Sequence, residues 1–248
     1  DFLHSLLAVI HETGHALYEQ NRPAEHLNQP VGEAMGMAVH ESQSLFMEKQ
    51  IAKSAAYIEH LAPLMRQHLA PAADTTDQRW SAHYLHRLIT RVQPGLIRVD
   101  ADECTYPMHI ILRYDMEKAL IAEDMAVADI PDAWNEGMQR LLGLSTEGDY
   151  RNGCMQDVHW PSGGIGYFPT YTLGAVIAAQ LKAAMRSDLD DMDGQLARGD
   201  LSQVKAWLRD RIWSQGSRHE LQDLLRGATG KPLGVEDFRA HLSERYGE

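Results

Sequence analysis

Apolar residues recur at three- and four-residue steps along most of the chain, the rhythm of amphipathic helices. Leu3, Leu6, Leu7, Ile10, Gly14 and Leu17 predict a first helix that ends near Gln20, and Asn21, Pro23 and Pro30 mark the connection after it. A second helix is expected from about Gly32 into the fifties, with Ala34, Ala38, Leu45 and Ile51 as its apolar positions. Pro63 and Pro71 punctuate the next stretch. Asp74 or Thr76 is the expected cap of a helix through about Arg91, stopped by Pro94-Gly95. Leu96 to Val99 is short and partly β-branched, so a small β element is expected at most near 96–103. Further helices are expected over Tyr106–Glu123, from Asp129 to Gly143, and over Thr170–Arg186, Leu201–Gln215 and Val235–Tyr246. Between them, 148–169 breaks the pattern with five glycines and two prolines. A structureless segment that long inside a compact domain is usually functional. The fold class read from this pattern is mainly α, and no repeat or domain boundary stands out, so 1–248 reads as one helical region.

Composition narrows the function classes. The chain has 248 residues, 44% hydrophobic and 23% charged, which is ordinary globular usage. Its formal charge of −12 argues against nucleic acid or an anionic membrane surface as main partners. No stretch approaches the roughly 20 apolar residues of a membrane helix. Two cysteines, Cys104 and Cys154, make neither a disulfide framework nor a zinc ribbon, and no secretory leader is visible, so a cytoplasmic location is expected. Asp1 is not a methionine, which makes a truncated or processed chain a reading to carry forward.

His11-Glu12-Thr13-Gly14-His15 is an H-E-x-x-H sequence on the first helix. Positions i and i+4 project from one helix face, where two imidazoles can share a tetrahedral ion, and Glu12 lies beside that face as a candidate general base. An accidental match would leave two surface histidines beside a solvated glutamate. Against that, Ile10, Ala16 and Leu17 press closely on the motif. A third ligand is needed, and Glu41 is the best candidate, sharing a face with Ala34, Ala38 and Leu45. A shared cation would offset the cost of burying its carboxylate, although a salt-bridged core glutamate would look the same. Glu33 is the rival ligand, in the first helical turn where the dipole favours an acid. His40 points to a different face from Glu41, as a supporting or surface group.

Four ordered motifs carry a resemblance. His11 to Gln20 (HETGHALYEQ), His40-Glu41-Ser42-Gln43, Ile97 to Asp102 (IRVDAD) and Gly153 to Trp160 (GCMQDVHW) are similar to those of the carboxypeptidase Taq family of metallocarboxypeptidases. The resemblance implies a mostly helical zincin-type peptidase fold, related to neurolysin-like enzymes. It implies His11, His15 and Glu41 as metal ligands, Glu12 as general base and acid, and one zinc, with cobalt as alternative. It further implies removal of C-terminal residues from peptides with broad specificity, by homodimers. The family's H-P-F and D-x-R-x-T motifs are not found here, so the chain resembles only the C-terminal half.

Peptide hydrolysis also needs donors for the carbonyl oxygen that becomes negative. Tyr167 is the favoured donor, His159 the next, and Tyr171 a reserve placed with the substrate-binding residues. A free terminal carboxylate calls for a cation, and Arg98 qualifies unless Asp100 or Asp102 neutralises it. Gln156 and Asp157 are read as groups that orient the glycine-rich loop or a metal-ligand imidazole. The leading expectation is thus a metallocarboxypeptidase. An endo-acting metallo-oligopeptidase and an inactive fragment serving in folding, dimerisation or metal binding are the alternatives.

Overall fold

A computed structural model describes residues 2–247; its regular elements are helices, with no β-strand among the described residues. The helices in chain order are α1 (Phe2–Gln20), α2 (Gly36–Leu45), α3 (Ala55–Leu69), α4 (Ala82–Ile89), α5 (Tyr106–Ile121), α6 (Ile130–Leu142) and α7 (Pro169–Asp188). α8 (Met192–Ala197), α9 (Ser202–Arg211), α10 (Leu221–Thr229) and α11 (Glu236–Tyr246) follow. The expected mainly α class holds. Their packing groups the residues into two compact units: 1–90 with 173–248, and 91–172.

In the first unit, one large core gathers Tyr18, Phe46, Ile177, Leu181, Met185, Leu208 and Trp213, all under 2% exposed. α2 starts later than the pattern suggests, at Gly36, and runs on without a break into a π-helical stretch, Phe46–Ala52. Insertions of this kind frequently sit at functional sites. α3 continues through Pro63, where a break was expected. Ser54 caps the helix by accepting from the Tyr57 N–H at 3.2 Å, and burial of Ile58, Ala62 and Met65 offsets the backbone bond that proline removes. The cap expected at Asp74 or Thr76 is instead Ser81, which accepts from the Tyr84 N–H, so α4 begins at Ala82. Asp74 folds back on the Thr76 N–H in a local turn.

In the second unit, α5 and α6 pack through Leu112, Met116, Trp134 and Met138. Gly143 ends α6 at φ +69°, a left-handed cap that suits glycine. The expected β element is corrected here: Arg98–Asp100 is a single 3-10 turn. A strand there would need a neighbouring strand, and a side chain does that work instead. Gln156 accepts from the Arg98 N–H at 2.8 Å and donates to the Leu96 carbonyl at 3.0 Å.

Candidate metal centre and glycine-rich loop

Gly14 sits on the face of α1 that meets α2. A Cβ there would lie 2.5 Å from Ser44 Cα, so the two backbones cross closely because this position has no side chain. That approach sets His11 and His15 of α1 opposite Glu41 of α2. On its other side Glu41 meets Gly174 of α7, where a Cβ would come within 2.9 Å of the glutamate side chain. Two glycines therefore make room for one buried carboxylate, which is 5% exposed.

His11 Nε2 is 3.6 Å from Glu41 Oε1, and His15 Nε2 is 3.7 Å from Glu41 Oε2. All three ligand atoms lie within 4.8 Å of one another. Bonds of about 2.0–2.1 Å to a tetrahedral ion put ligand atoms about 3.4 Å apart, so the spacing suits a divalent cation. Glu33, the rival, is not in this group.

The proton positions follow from the outer partners. His11 Nδ1 is 3.0 Å from Glu48 Oε2, and a carboxylate can only accept, so in the neutral ring Nδ1 carries the hydrogen and Nε2 keeps its lone pair. His40 Nε2 donates to Glu19 Oε1 at 2.9 Å, which leaves His40 Nδ1 as an acceptor. His15 Nδ1 lies 2.6 Å from that atom and must donate. His15 Nε2 is then also unprotonated. Both lone pairs point to the side of Glu41, and such outer partners fix ring orientation and raise ligand basicity.

Electrostatics differ between the rings. Burial works against a charged His11, but the Glu48 hydrogen bond and the charges of Glu41 and Glu48 outweigh it, so its pKa is raised. For His15, burial and the neighbouring His11 and His40 push the pKa down to about 4. Burial would raise Glu48, yet Lys49, His11 and Lys53 hold it at about 2. Glu12 is exposed, and its charge is felt by both rings.

Sequence reading missed Glu48 and Glu19. Glu48 lies seven residues after Glu41, two turns on along the same helical run, which was a usable signal. Gln43 of the HESQ motif points elsewhere: its buried amide accepts from the Trp213 indole N–H at 2.8 Å.

The second unit holds the remaining sequence-predicted residues. Asp157 accepts from Arg98 Nε at 3.0 Å and Nη2 at 2.6 Å, and from Arg113 Nε at 2.7 Å. Arg98 Nη1 donates to the Tyr106 hydroxyl at 2.6 Å, and Arg98 is 5% exposed. Neither Asp100 nor Asp102 is its ion-pair partner. His159 Nε2 is 3.0 Å from the Tyr171 hydroxyl, and its ring packs at a tilt of 36° on Phe168 with centroids 4.3 Å apart. Burial, then Arg98, lowers the His159 pKa, favouring the neutral ring. Tyr167 lies near the same ring, centroids 5.5 Å apart. Glu117, another residue missed, pins the loop by accepting from the Trp160 indole at 2.9 Å and the Gly166 N–H at 3.0 Å.

Comparison with known proteins decides the family. The profile described as carboxypeptidase Taq (M32) metallopeptidase matches residues 1–246. The chain belongs to this family. It is 39% identical over 247 residues to thermostable carboxypeptidase 1 of Thermus thermophilus, covering 99% of this chain and 47% of that protein. To the protein of the same name from Pyrococcus furiosus it is 36% identical over 246 residues, covering 99% and 48%. Metallocarboxypeptidase 1 of Trypanosoma cruzi superposes with a TM-score of 0.95 at 45% identity, over 100% of this chain and 51% of that one. This M32 chain thus spans about half the length of the curated relatives it matches. Its mainly α architecture is that of M32 carboxypeptidases, and as a metallopeptidase family M32 implies a divalent metal. No helix among the described residues is long and apolar enough to cross a membrane.

Proposed function

We propose that this chain carries the metal and base groups of a metallocarboxypeptidase acting on the C-terminal bond of peptides with broad specificity. The observation that supports this most is the pair of imidazole lone pairs held toward a single buried carboxylate, His11 and His15 against Glu41. One zinc ion per chain, with cobalt as substitute, fits a donor set of two nitrogens and one oxygen. When bound, such an ion acts as a Lewis acid toward a water and toward a carbonyl oxygen. Glu12, exposed and adjacent to His11, takes a proton from the attacking water and returns it to the leaving amine. Glu48 and His40 hold the ligand tautomers.

Tyr167, with His159 next, is proposed to donate to the carbonyl oxygen as charge develops, and Tyr171 to contact substrate and hold the His159 ring. Arg98 spends Nε, Nη1 and Nη2 on Asp157 and Tyr106, so it is given a positioning role for the loop, and no cation is assigned to the substrate carboxylate. The homodimer and the cytoplasmic location implied by sequence remain parts of the proposal, checked by sedimentation and by fractionation.

The test is residue release from an N-blocked dipeptide by the zinc- or cobalt-loaded protein and by Glu12→Gln. Release from the free C-terminus that Glu12→Gln abolishes supports the proposal. Cleavage at internal bonds, or of amidated peptide equally well, favours an endo-acting oligopeptidase. Silence with metal bound favours a non-catalytic chain.

A further inference from the structure

Lys182 lies on the buried face of α7, where Ala178, Ala179, Leu181 and Met185 belong to the core. It is 8% exposed, and its Nζ donates to one group, the Gln50 carbonyl of the π-helical stretch, at 2.7 Å. An ammonium has three N–H donors, and no carboxylate among the described residues comes within ion-pair distance of this one. Burial in such a state is costly unless a counter-charge arrives.

Lys182 lines a cavity of about 360 Å³, walled by the π-helical stretch and by α3, α4, α7, α8 and α11. The carboxylates on that wall already have partners. Glu244 and Asp193 pair with Arg186 at 3.0 and 3.2 Å, and Asp237 pairs with Lys231 at 2.7 Å. Arg245 reaches the wall from α11 and donates to the Lys49 carbonyl at 2.8 Å; His241 also lines it, as does His86, which is hydrogen-bonded to the Lys53 backbone. After burial, the strongest influences on Lys182 are the like charges of Arg186 and Arg245, which outweigh Asp193 and Glu244 and bring its pKa down to about 7.

We propose that this cavity binds a small dianion of the phosphate type, with Lys182 as the central contact and Arg245 and His241 as further donors. The room exceeds that of one phosphate group, so a small phosphomonoester would also fit. An anion here supplies the counter-charge that the carboxylates on the wall, engaged with Arg186 and Lys231, do not. Binding near neutral pH then draws a proton onto Lys182.

The experiment is calorimetric titration of the whole protein with inorganic phosphate, and separately with glycerol phosphate, in two buffers of different ionisation enthalpy. The expected result is one saturable site per chain with proton uptake near pH 7. Lys182→Met should weaken binding about 10- to 100-fold, the worth of a charge-assisted bond, while Lys182→Arg retains it. Tighter binding of the ester identifies a phosphorylated metabolite as the ligand class, and tighter binding of phosphate identifies the free ion. Circular dichroism establishes that both variants fold. The absence of saturable binding of either anion, or equal affinity in wild type and Lys182→Met, overturns the site.

Discussion

Gly14→Ala is the smallest change that separates helix crossing from ligand chemistry. The added methyl would meet Gln43 and Ser44 of α2, at 2.8 Å from Gln43 C and 2.5 Å from Ser44 Cα. These are backbone atoms, so no rotamer change relieves the clash. Restoring ordinary contact, which begins near 3.4 Å, requires α1 and α2 to part by about 1 Å. Overpacking of this kind costs typically 1–3 kcal/mol, against about 1 kcal/mol gained from alanine's helix propensity. A net loss of up to about 2 kcal/mol lowers the melting temperature by up to roughly 8 °C for a chain of this size. The consequence for the site is larger. Metal sites tolerate about ±0.2 Å in ligand distance, and a misplacement of about 1 Å costs on the order of 100-fold in a reaction that depends on it. The assay pairs thermal unfolding with zinc affinity by chelator competition. Gly227→Ala on α10, where nothing lies within 4 Å of a Cβ, is the control and should gain about 0.5–1 kcal/mol. Gly14→Ala with wild-type stability and wild-type zinc affinity would refute the close crossing as the cause of ligand placement.

Three further expectations follow from the same geometry. Glu48→Ala removes the acceptor that fixes His11 and should weaken zinc binding about 10- to 100-fold in chelator competition, with His11 still present. Asp157→Asn leaves Arg98 and Arg113 buried without their anion and should cost about 3–5 kcal/mol by urea unfolding. Lys182 has a folded pKa of about 7 against an ordinary 10.5, so the unfolded chain binds more protons between these values and the burial cost is full below pH 7 and fades toward 10.5. In phosphate-free buffer, Lys182→Met should therefore be stabilised relative to wild type at pH 7, by at most ~5 kcal/mol, with the gap closing near pH 10. A gap that stays constant across that range would contradict the buried, uncompensated amine.

Local rules made most helices readable. α1, α5, α6, α7 and α11 fall near their expected limits because apolar spacing and end signals such as Gly143 act within a few residues. α8 and α10 escaped notice, being short, and α4 was displaced because Ser81 rather than Asp74 or Thr76 holds its first turn. The strand expected near Leu96 failed for a long-range reason: its backbone partner is the Gln156 side chain, which no local pattern announces. At the metal centre, two ligands follow from i, i+4 spacing. The grouping of Glu41 with them depends on Gly14 and Gly174, whose value appears only when helices cross. The outer partners Glu48, Glu19 and His40 are polar groups whose roles depend on ring orientation. The ion-pair partner of Arg98 was likewise not readable locally, because Asp157 lies 59 positions away.

The most direct measurement is a zinc titration of the metal-free protein beside Glu41→Gln and Glu12→Gln, with bound metal read by chelator competition. One ion per chain is expected for wild type and for Glu12→Gln, and binding at least about tenfold weaker for Glu41→Gln, since a direct ligand should cost no less than an outer partner. Equal zinc affinity in wild type and Glu41→Gln, or loss of the ion in Glu12→Gln, would contradict the assignment of His11, His15 and Glu41 as the metal site and of Glu12 as the base beside it.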